Sequence, residues 1–198
     1  MLFEREIHDG IKFMYPRASS GCEWVQAGEG LASIKYDGRP IMFAEGKALR
    51  RLVLSMVGGP PVVPLGWVPA TAADSTLGLW PGWIPIDHDD PHFELVSYSE
   101  PRVRCGTFEL IGPSVLGNPH RVSNHRFIRH GSEIVPAAPT SFDGLQDWLS
   151  QERLVEGLVW AHPDGTTAKI RRKDFGLEWP AGVPHYHRRR VSVNGTSS

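Results

Sequence analysis

The stretch Ala32-Ser33-Ile34-Lys35-Tyr36-Asp37-Gly38 places a lysine at the end of an apolar run, two residues before a carboxylate and three before a glycine. A lysine amine becomes a nucleophile only after it loses its proton, and partial burial or a neighbouring cation favours that loss. Asp37 is suited to binding a metal ion beside it. An ordinary strand that ends in an Asp-Gly turn would have the same sequence, so this stretch alone leaves both interpretations open.

Three later segments carry charged residues on strand-like apolar runs. They are Gly106-Thr107-Phe108-Glu109-Leu110-Ile111-Gly112-Pro113, Val155-Glu156-Gly157-Leu158-Val159-Trp160 and Ala168-Lys169-Ile170-Arg171-Arg172-Lys173. The alternation in the first segment points Glu109 away from the face of Phe108 and Leu110. The other two predict a hairpin of residues 154–162 and 167–172 around Asp164-Gly165.

Alternation along that hairpin predicts a charged face. Glu156, Leu158 and Trp160 share one face, and Lys169, Arg171 and Lys173 share a face of the partner strand. A carboxylate and a basic row on paired strands can therefore face one cleft, although a cross-strand ion pair on a solvated sheet is the alternative.

The order Lys-x-Asp-Gly, Phe-Glu-Leu-Ile-Gly, Glu-Gly-Leu-Val and Lys-Ile-Arg resembles motifs I, III, IV and V of the covalent nucleotidyltransferases. That superfamily contains ATP-dependent DNA and RNA ligases and mRNA capping enzymes. Within it, three further segments resemble the small human-type 5′-to-3′ RNA ligase family. They are Pro81-Gly82-Trp83-Ile84-Pro85, Glu109-Leu110-Ile111-Gly112 with Gly117-Asn118-Pro119, and Gly176-Leu177-Glu178-Trp179-Pro180. The resemblance covers roughly residues 30–180.

The resemblance implies an α+β fold, a ligase-type nucleotidyltransferase (adenylation) domain with antiparallel sheets that flank a nucleotide cleft. It also implies no C-terminal OB domain, because only 25 residues follow Lys173. We expect this domain to occupy residues 1–180. Its Pro/Gly/Trp-rich insert at about 58–91 is expected to be ordered and to pack over the sheet edge, and residues 181–198 are expected to form a basic, flexible tail.

The resemblance also implies a reaction, the ATP-dependent joining of an RNA 5′-phosphate to a 3′-hydroxyl, in RNA repair. Lys35 would attack the α-phosphorus of ATP, hold AMP as a phosphoramidate and pass it to the RNA 5′-phosphate. A 3′-hydroxyl would then displace AMP. The implied cofactors are ATP and Mg²⁺ or Mn²⁺, and the implied partner is RNA with those two ends.

Each matching residue has an implied role. Lys169 and Arg171 would hold the α-phosphate, and Glu156 would bind the metal with Asp37 assisting through water. Glu109 would accept a hydrogen bond from a ribose hydroxyl. Phe108 and Trp160 are candidate walls for the adenine. The implied nucleotide contacts are Lys35, Ile34, Arg50 or Arg51, Glu109, Lys169 and Arg171.

Composition limits the surroundings of this chemistry. The net charge is −1, from 21 basic and 22 acidic residues, so any nucleic-acid face must be local. The candidate phosphate contacts are Arg121, Arg126, Arg129, Arg171, Arg172 and Lys173, with Arg188, Arg189 and Arg190 in the tail. Two cysteines without metal-ligand spacing favour a reducing, cytoplasmic location. The chain has no run of 18 apolar residues, which predicts no membrane partner.

Local patterns predict several elements. Residues 31–36 and 40–44 are predicted to form a hairpin through Asp37-Gly38, and residues 52–54, 93–98 and 103–111 to form strands. Ser141 is predicted to begin an amphipathic helix that ends near Leu149.

Two rival functions remain open at this point. One is another lysyl-nucleotidyl transferase, such as a DNA ligase or a capping-type guanylyltransferase. The other is a non-catalytic RNA- or nucleotide-binding module. The presence of Lys35, Glu109, Glu156 and Lys169 together favours an enzyme, because binding alone needs no nucleophilic lysine.

Overall fold

Antiparallel sheets dominate the architecture of the chain, with few helices. A computed structural model describes residues 1–9, 11–99 and 105–180. The strands are β1 (Phe3–His8), β2 (Ile11–Ala18), β3 (Leu31–Lys35), β4 (Arg39–Ala44), β5 (Lys47–Ser55), β6 (Val68–Pro69), β7 (Leu79–Pro85), β8 (Gly106–Ile111), β9 (Arg126–Arg129), β10 (Gly157–Ala161) and β11 (Thr167–Arg171). The helices are α1 (Glu23–Gln26), α2 (Phe93–Ser99), α3 (Phe142–Gln151) and a 3-10 helix at Arg172–Phe175. The α+β class with antiparallel sheets is therefore confirmed.

The strands form three sheets in the described residues. β1 and β2 make a two-stranded sheet, β11-β10-β3 a three-stranded one, and β6-β7-β5-β4-β8-β9 a six-stranded one. The hairpin of β10 and β11 is confirmed, with Leu158 opposite Ile170. None of the helices in the described residues is long and apolar enough to span a membrane.

Two apolar cores hold the larger sheets. The first packs α3 against the three-stranded sheet and contains Leu145, Leu149, Leu158, Trp160 and Ile170. The second lies on the six-stranded sheet and contains Ile41, Phe43, Val96, Phe108, Leu110 and Val115. Each fully buried aliphatic or aromatic side chain contributes about 1.5–3 kcal/mol. Both proposed adenine walls, Phe108 and Trp160, lie in these cores, only 6% and 2% exposed.

The helix predicted from Ser141 is confirmed. The Ser141 hydroxyl accepts a hydrogen bond from the Gly144 N–H at 3.2 Å, which satisfies one of the free donors at the start of α3. Leu145 and Leu149 are fully buried on its apolar side. The helix ends at Gln151, two residues later than predicted.

The predicted hairpin through Asp37-Gly38 is wrong, because the two strands belong to different sheets. β3 pairs with β10, whereas β4 pairs with β5 and β8. The chain crosses between the sheets at Gly38, where a Cβ would overlap the carbonyl oxygen of Leu110. Glycine is needed there for close packing and not for a turn.

The strand predicted at residues 93–98 is also wrong, since these residues form α2. The Asp90 carboxylate accepts the His92 N–H at 2.9 Å and caps the turn that leads into the helix. Val96 is then fully buried in the second core. Residues 103 and 104 of the next predicted strand lie outside the described residues, and β8 begins at Gly106.

The Pro/Gly/Trp-rich insert supplies strands instead of only covering the sheet edge. β7 pairs with β5 from Leu79 to Pro85, and β6 pairs with β7. Trp67 and Trp83 are 8% and 6% exposed, so the insert is packed. The strand predicted at residues 52–54 is confirmed within β5. Residues 181–198, with the predicted tail, lie outside the described residues.

Candidate functional site

A cavity of about 520 Å³ lies between the three-stranded and six-stranded sheets. Its lining residues come from β3, β10 and β11 on one side and from β5, β8 and β9 on the other. They are Ser33, Ile34, Lys35, Tyr36, Arg51, Glu109, Ile128, Arg129, His130, Gly131, Val159, Ala161, Thr167 and Lys169. This volume is in the range of small-molecule sites, which is roughly 300–1,000 Å³. The fold thus brings residues from distant parts of the chain to one cleft.

Lys35 is the last residue of β3 and lies opposite Gly157 of β10. Its ammonium forms an ion pair with the Glu156 carboxylate, and its side chain is 25% exposed whereas that of Glu156 is 5% exposed. Burial raises the pKa of Glu156, and the nearby Asp37 adds to this, while Lys35 opposes it. The charged form of Glu156 therefore depends on its lysine partner.

The Glu156 side chain reaches Lys35 because Glu156 lies just before β10 and is not part of that strand. The strand begins at Gly157, so the predicted alternation of Glu156 with Leu158 and Trp160 on one face does not hold. Leu158 and Trp160 face the first core, while the Glu156 side chain turns to Lys35. Lys173 likewise lies in the 3-10 helix and not on the strand with Lys169 and Arg171.

Lys169 and Arg171, predicted to act together, differ in their surroundings. Lys169 lies opposite Val159 on β11 and lines the cavity. Partial desolvation at the cleft wall, followed by the nearby cations Lys35 and Arg171, lowers the pKa of Lys169. The Arg171 guanidinium instead forms two hydrogen bonds with the Asp174 carboxylate, at 2.9 and 3.0 Å, and Arg171 is not a lining residue.

Glu109 lines the cavity with both carboxylate oxygens occupied. One accepts the Gly38 N–H at 3.0 Å, and the other lies 2.9 Å from Nε2 of His130. Glu109 therefore fixes the backbone behind Lys35 as well as facing the cleft. His130 was not predicted as a site residue, because it follows β9 at a position without a motif.

The structure separates Arg50 from Arg51. Paired residues on neighbouring strands share a face, and Trp83 lies opposite Arg51 while Glu109 lies opposite Pro40. Arg51 lines the cavity and lies over the Trp83 ring, 5.2 Å from its centre. Arg50 lies on the opposite face, with its Nε 3.6 Å from the Asp90 carboxylate.

The Asp37 backbone and side chain are held by residues far along the chain. The Asp37 N–H donates to Nε2 of His120 at 2.8 Å, and its carboxylate accepts the indole N–H of Trp179 at 2.8 Å. His120 is 5% exposed, and its ring packs in tilted contacts against the rings of Tyr36 and Trp179. His120 was not predicted as a site residue, although it directly follows the quoted Gly117-Asn118-Pro119.

The apolar neighbour of Lys35, Ile34, also lines the cavity. Its N–H donates to the Glu133 carbonyl at 2.9 Å, and its side chain packs on the first core. The Glu133 carboxylate accepts the Tyr36 hydroxyl, and burial together with this bond raises the pKa of Tyr36. Glu133 is a third residue that sequence reasoning missed, after His130 and His120.

Glu156 and Asp37 are the candidate metal ligands. Both are carboxylates, the hard oxygen donors that Mg²⁺ prefers, and the charge of Asp37 contributes to the raised pKa of Glu156. No group of three or more His, Cys, Asp or Glu side chains in the described ranges is arranged to hold a metal by itself. The residues fit a magnesium ion that takes its other ligands from water and nucleotide phosphates.

The predicted surface phosphate contacts have mixed positions. Arg126 lies 3.6 Å from the Glu133 carboxylate, and Arg129 donates to the Cys105 carbonyl at 2.7 Å. Arg172 is 4% exposed and donates to the Glu152 carbonyl at 3.1 Å, so it is a structural residue. Arg188, Arg189 and Arg190 lie outside the described residues.

Comparison with known proteins identifies the class. The family model for RNA ligase 1 matches residues 88–198, more than half of the chain. Curated relatives named RNA ligase 1 include one from Danio rerio, 30% identical over 59% of this chain and 47% of the relative. The one from Rattus norvegicus is 27% identical over 67% of this chain and 54% of the relative. The one from Mus musculus is 26% identical with the same coverage.

The chain therefore belongs to the RNA ligase 1 family. It spans about half the length of these curated relatives. The matched range contains Glu109, Glu156 and Lys169, whereas Lys35 lies before it. The fold nevertheless joins Lys35 to that range through its ion pair with Glu156.

Proposed function

We propose that the chain is an ATP-dependent RNA ligase that works through a lysyl-AMP intermediate, as in the covalent nucleotidyltransferase superfamily. The observation that carries this proposal is the position of Lys35, in ion contact with Glu156 at a cavity that Glu109, Lys169 and Arg51 also line. Lys35, Glu109, Glu156 and Lys169 come from four sequence segments that have the order of motifs I, III, IV and V. A cavity of about 520 Å³ suits a nucleotide.

In the first step, the Lys35 nitrogen attacks the α-phosphorus of ATP, a P–N bond forms, and pyrophosphate leaves with the P–O bond electrons. Lys35 must first lose its proton to solvent, because an ammonium has no lone pair with which to attack phosphorus. Removal of that proton also ends the charge attraction that holds the pair. The amine is then free to turn toward the cavity.

The remaining lining residues bind and orient the nucleotide. Lys169 and Arg51 are cations at the cleft and stabilise the charge that develops on the phosphate. Glu109, already fixed by Gly38 and His130, accepts a hydrogen bond from a ribose hydroxyl. The aliphatic side chains of Ile128 and Val159 supply the apolar wall for the base, in place of Phe108 and Trp160.

A magnesium or manganese ion bound by Glu156 and Asp37 would supply further charge stabilisation at the phosphate. Arg171 acts indirectly, since its guanidinium is engaged with Asp174. The lysyl-AMP then passes AMP to an RNA 5′-phosphate, and a 3′-hydroxyl displaces AMP to join the ends. We place this reaction in RNA repair, in the cytoplasm.

The test is to incubate the purified protein with magnesium and α-labelled ATP or GTP and to separate the protein under denaturing conditions. Label from ATP on wild type and none on Lys35→Met supports the proposal. Label from GTP would indicate capping-type transfer. No label from either nucleotide, on protein freed of bound AMP, would favour a binding module, and full label on Lys35→Met would refute the role of Lys35. Lys47→Met, on an exposed lysine of β5, is the matched control.

A further inference from the structure

A second cavity of about 390 Å³ adjoins the first on the same face of the six-stranded sheet. Arg51 and His130 line both cavities and so mark the boundary between them. The other lining residues of the second cavity are Pro40, Ala70, Thr71, Trp83 and Thr107. The proposed roles of the nucleotide cleft do not use this space.

The strand register explains why the two cavities form one continuous surface. Val68 lies opposite Trp83, Trp83 opposite Arg51, and Pro40 opposite Glu109. Since Ile41 lies opposite Arg50, the next pair along these strands is Pro40 and Arg51. Directly paired residues share a face, so a single row runs from the insert through Arg51 to Glu109.

The insert builds the far wall of the second cavity and is held there by specific contacts. The Ala70 N–H donates to the Pro81 carbonyl at 2.9 Å, and the Trp80 indole N–H donates to the Thr71 carbonyl at 3.2 Å. Trp83 is 6% exposed. This wall is therefore preformed, and it gives the Pro/Gly/Trp-rich insert a role beside the reaction centre.

The lining chemistry selects the type of ligand. Two hydroxyls, an indole, a proline and an alanine surround the second cavity, and no carboxylate belongs to its lining. Its positive charge comes from Arg51 and, when protonated, His130, both at the boundary with the nucleotide cleft. A polyphosphate would need cations throughout. A ribose and base with one phosphate at the boundary match this distribution better.

We propose that the second cavity binds the 5′-terminal nucleotide of the acceptor RNA, with its 5′-phosphate at Arg51. This inference rests on the proposed ligase function. In the step it serves, an oxygen of the RNA 5′-phosphate forms a bond to the phosphorus of lysyl-AMP. The P–N bond breaks, and the Lys35 nitrogen keeps the electron pair and takes up a proton. Arg51 lies where the two phosphates meet, and its fork of donors can bind both.

The experiment separates AMP loading from AMP transfer. Wild type, Ala70→Phe and Ala72→Phe are loaded with labelled ATP, freed of nucleotide and mixed with 5′-phosphorylated oligoribonucleotide in excess. Ala70→Phe fills the cavity, whereas Ala72 is exposed and outside its lining, so Ala72→Phe adds the same bulk elsewhere. The expected result is loading within roughly twofold of wild type for both variants, with transfer slowed at least about tenfold only in Ala70→Phe.

Two results would overturn the inference. Transfer by Ala70→Phe at the wild-type rate would mean that the RNA end lies elsewhere. Loading and transfer that fall in equal proportion would assign the cavity to ATP. A wild type that takes no label would instead refute the ligase proposal.

A binding measurement tests the cavity without any turnover. Fluorescence anisotropy should show that wild type binds 5′-phosphorylated RNA more tightly than 5′-hydroxyl RNA. Ala70→Phe should lose this preference, and Thr107→Val should weaken binding by a few-fold through the loss of one hydroxyl. An unchanged preference in Ala70→Phe would overturn the inference even if the protein forms no lysyl-AMP.

Discussion

The indole N–H of Trp179 donates a hydrogen bond to the Asp37 carboxylate at 2.8 Å, which ties residues 142 positions apart. Asp37 follows Lys35 by two residues, at the crossing between the two larger sheets. Trp179 belongs to the Gly176-Leu177-Glu178-Trp179-Pro180 segment. The last described segment of the chain thus orients the loop that follows the proposed nucleophile.

We expect Trp179→Phe to reduce lysyl-AMP formation by about tenfold, because Asp37 loses the donor that orients its carboxylate. The apolar ring should keep most of the packing against His120. The measurement is the initial rate of labelling by ATP. Trp24→Phe is the matched control, because the Trp24 indole N–H donates to the Gly21 carbonyl, outside the cavity. Equal losses in both variants would argue against a role for the bond to Asp37.

A second prediction concerns stability, because Lys35 is the ion-pair partner of a buried carboxylate. Lys35→Met should reduce the free energy of unfolding near neutral pH by about 1–3 kcal/mol, less than for a fully buried pair because the lysine is partly exposed. An exposed cleft lysine without such a partner would contribute little.

The buried Glu156 carboxyl determines how the stability loss of Lys35→Met changes with pH. Burial raises the pKa of this carboxyl in the folded protein, and loss of Lys35 removes the charge that opposes the rise. The deficit of Lys35→Met should therefore be small below the ordinary glutamate pKa of about 4.3 and grow as the pH rises through the folded-state pKa. Adding Glu156→Gln should remove this growth. A deficit that is the same at all pH values would contradict the prediction.

From the sequence, Lys35 and Glu156 could be predicted to face the same cleft, but their ion pair could not. The motifs indicated that both residues face the nucleotide, but the pairing of β3 with β10 joins segments more than 120 residues apart. The predicted face for Glu156 assumed that the strand includes this residue. An alternating pattern of residues does not show where a strand begins or ends. The hairpin at Asp37-Gly38 failed because an Asp-Gly pair is typical of a turn, whereas the close approach of Leu110 is a tertiary contact.

The missed helix α2 had a signal in the sequence. Residues 93–98 are strand-like in composition, but Asp90-Pro91 before them is typical of a helix start, and the Asp90 carboxylate does cap the turn there. By contrast, the sequence has no signal that distinguishes the orientation of Arg50 from that of Arg51. The buried residues of β5 are Leu49 and Leu54, which an alternating strand would place on opposite faces. Alternation therefore does not show whether Arg50 or Arg51 faces the cleft.

The neighbouring arginines now give a matched pair of variants. Arg51→Ala should slow lysyl-AMP formation at least about tenfold, because it removes a cation from the cavity where phosphate charge develops. Arg50→Ala should stay within roughly twofold of wild type, since Arg50 faces Asp90 on the other side of the sheet, where Arg39 also binds that carboxylate. Labelling rates at saturating ATP measure both. A larger loss in Arg50→Ala would reverse the assignment.

The buried His120 predicts how stability changes in mild acid. Its Nε2 accepts the Asp37 N–H at 2.8 Å, and its Nδ1 lies 2.9 Å from the Leu154 carbonyl, so both bonds form only when the ring is neutral, with its proton on Nδ1. Burial lowers the pKa of His120 below its ordinary value of 6.5. The folded state thus binds this proton less readily than the unfolded chain does.

A group whose pKa is lower in the folded state than in the unfolded chain stabilises the folded protein at pH values above its unfolded-state pKa. This stabilisation is lost as the pH falls from the unfolded-state pKa toward the folded-state pKa. Unfolding free energy should therefore decline below pH about 6.5, by at most about 1.4 kcal/mol per pH unit from this residue. His120→Gln keeps an acceptor for Asp37 but does not titrate. Denaturant unfolding between about pH 5 and 7, the range in which histidine titrates, should show a smaller decline in this variant. Parallel curves for the two proteins would mean that other groups, such as His92, cause the decline.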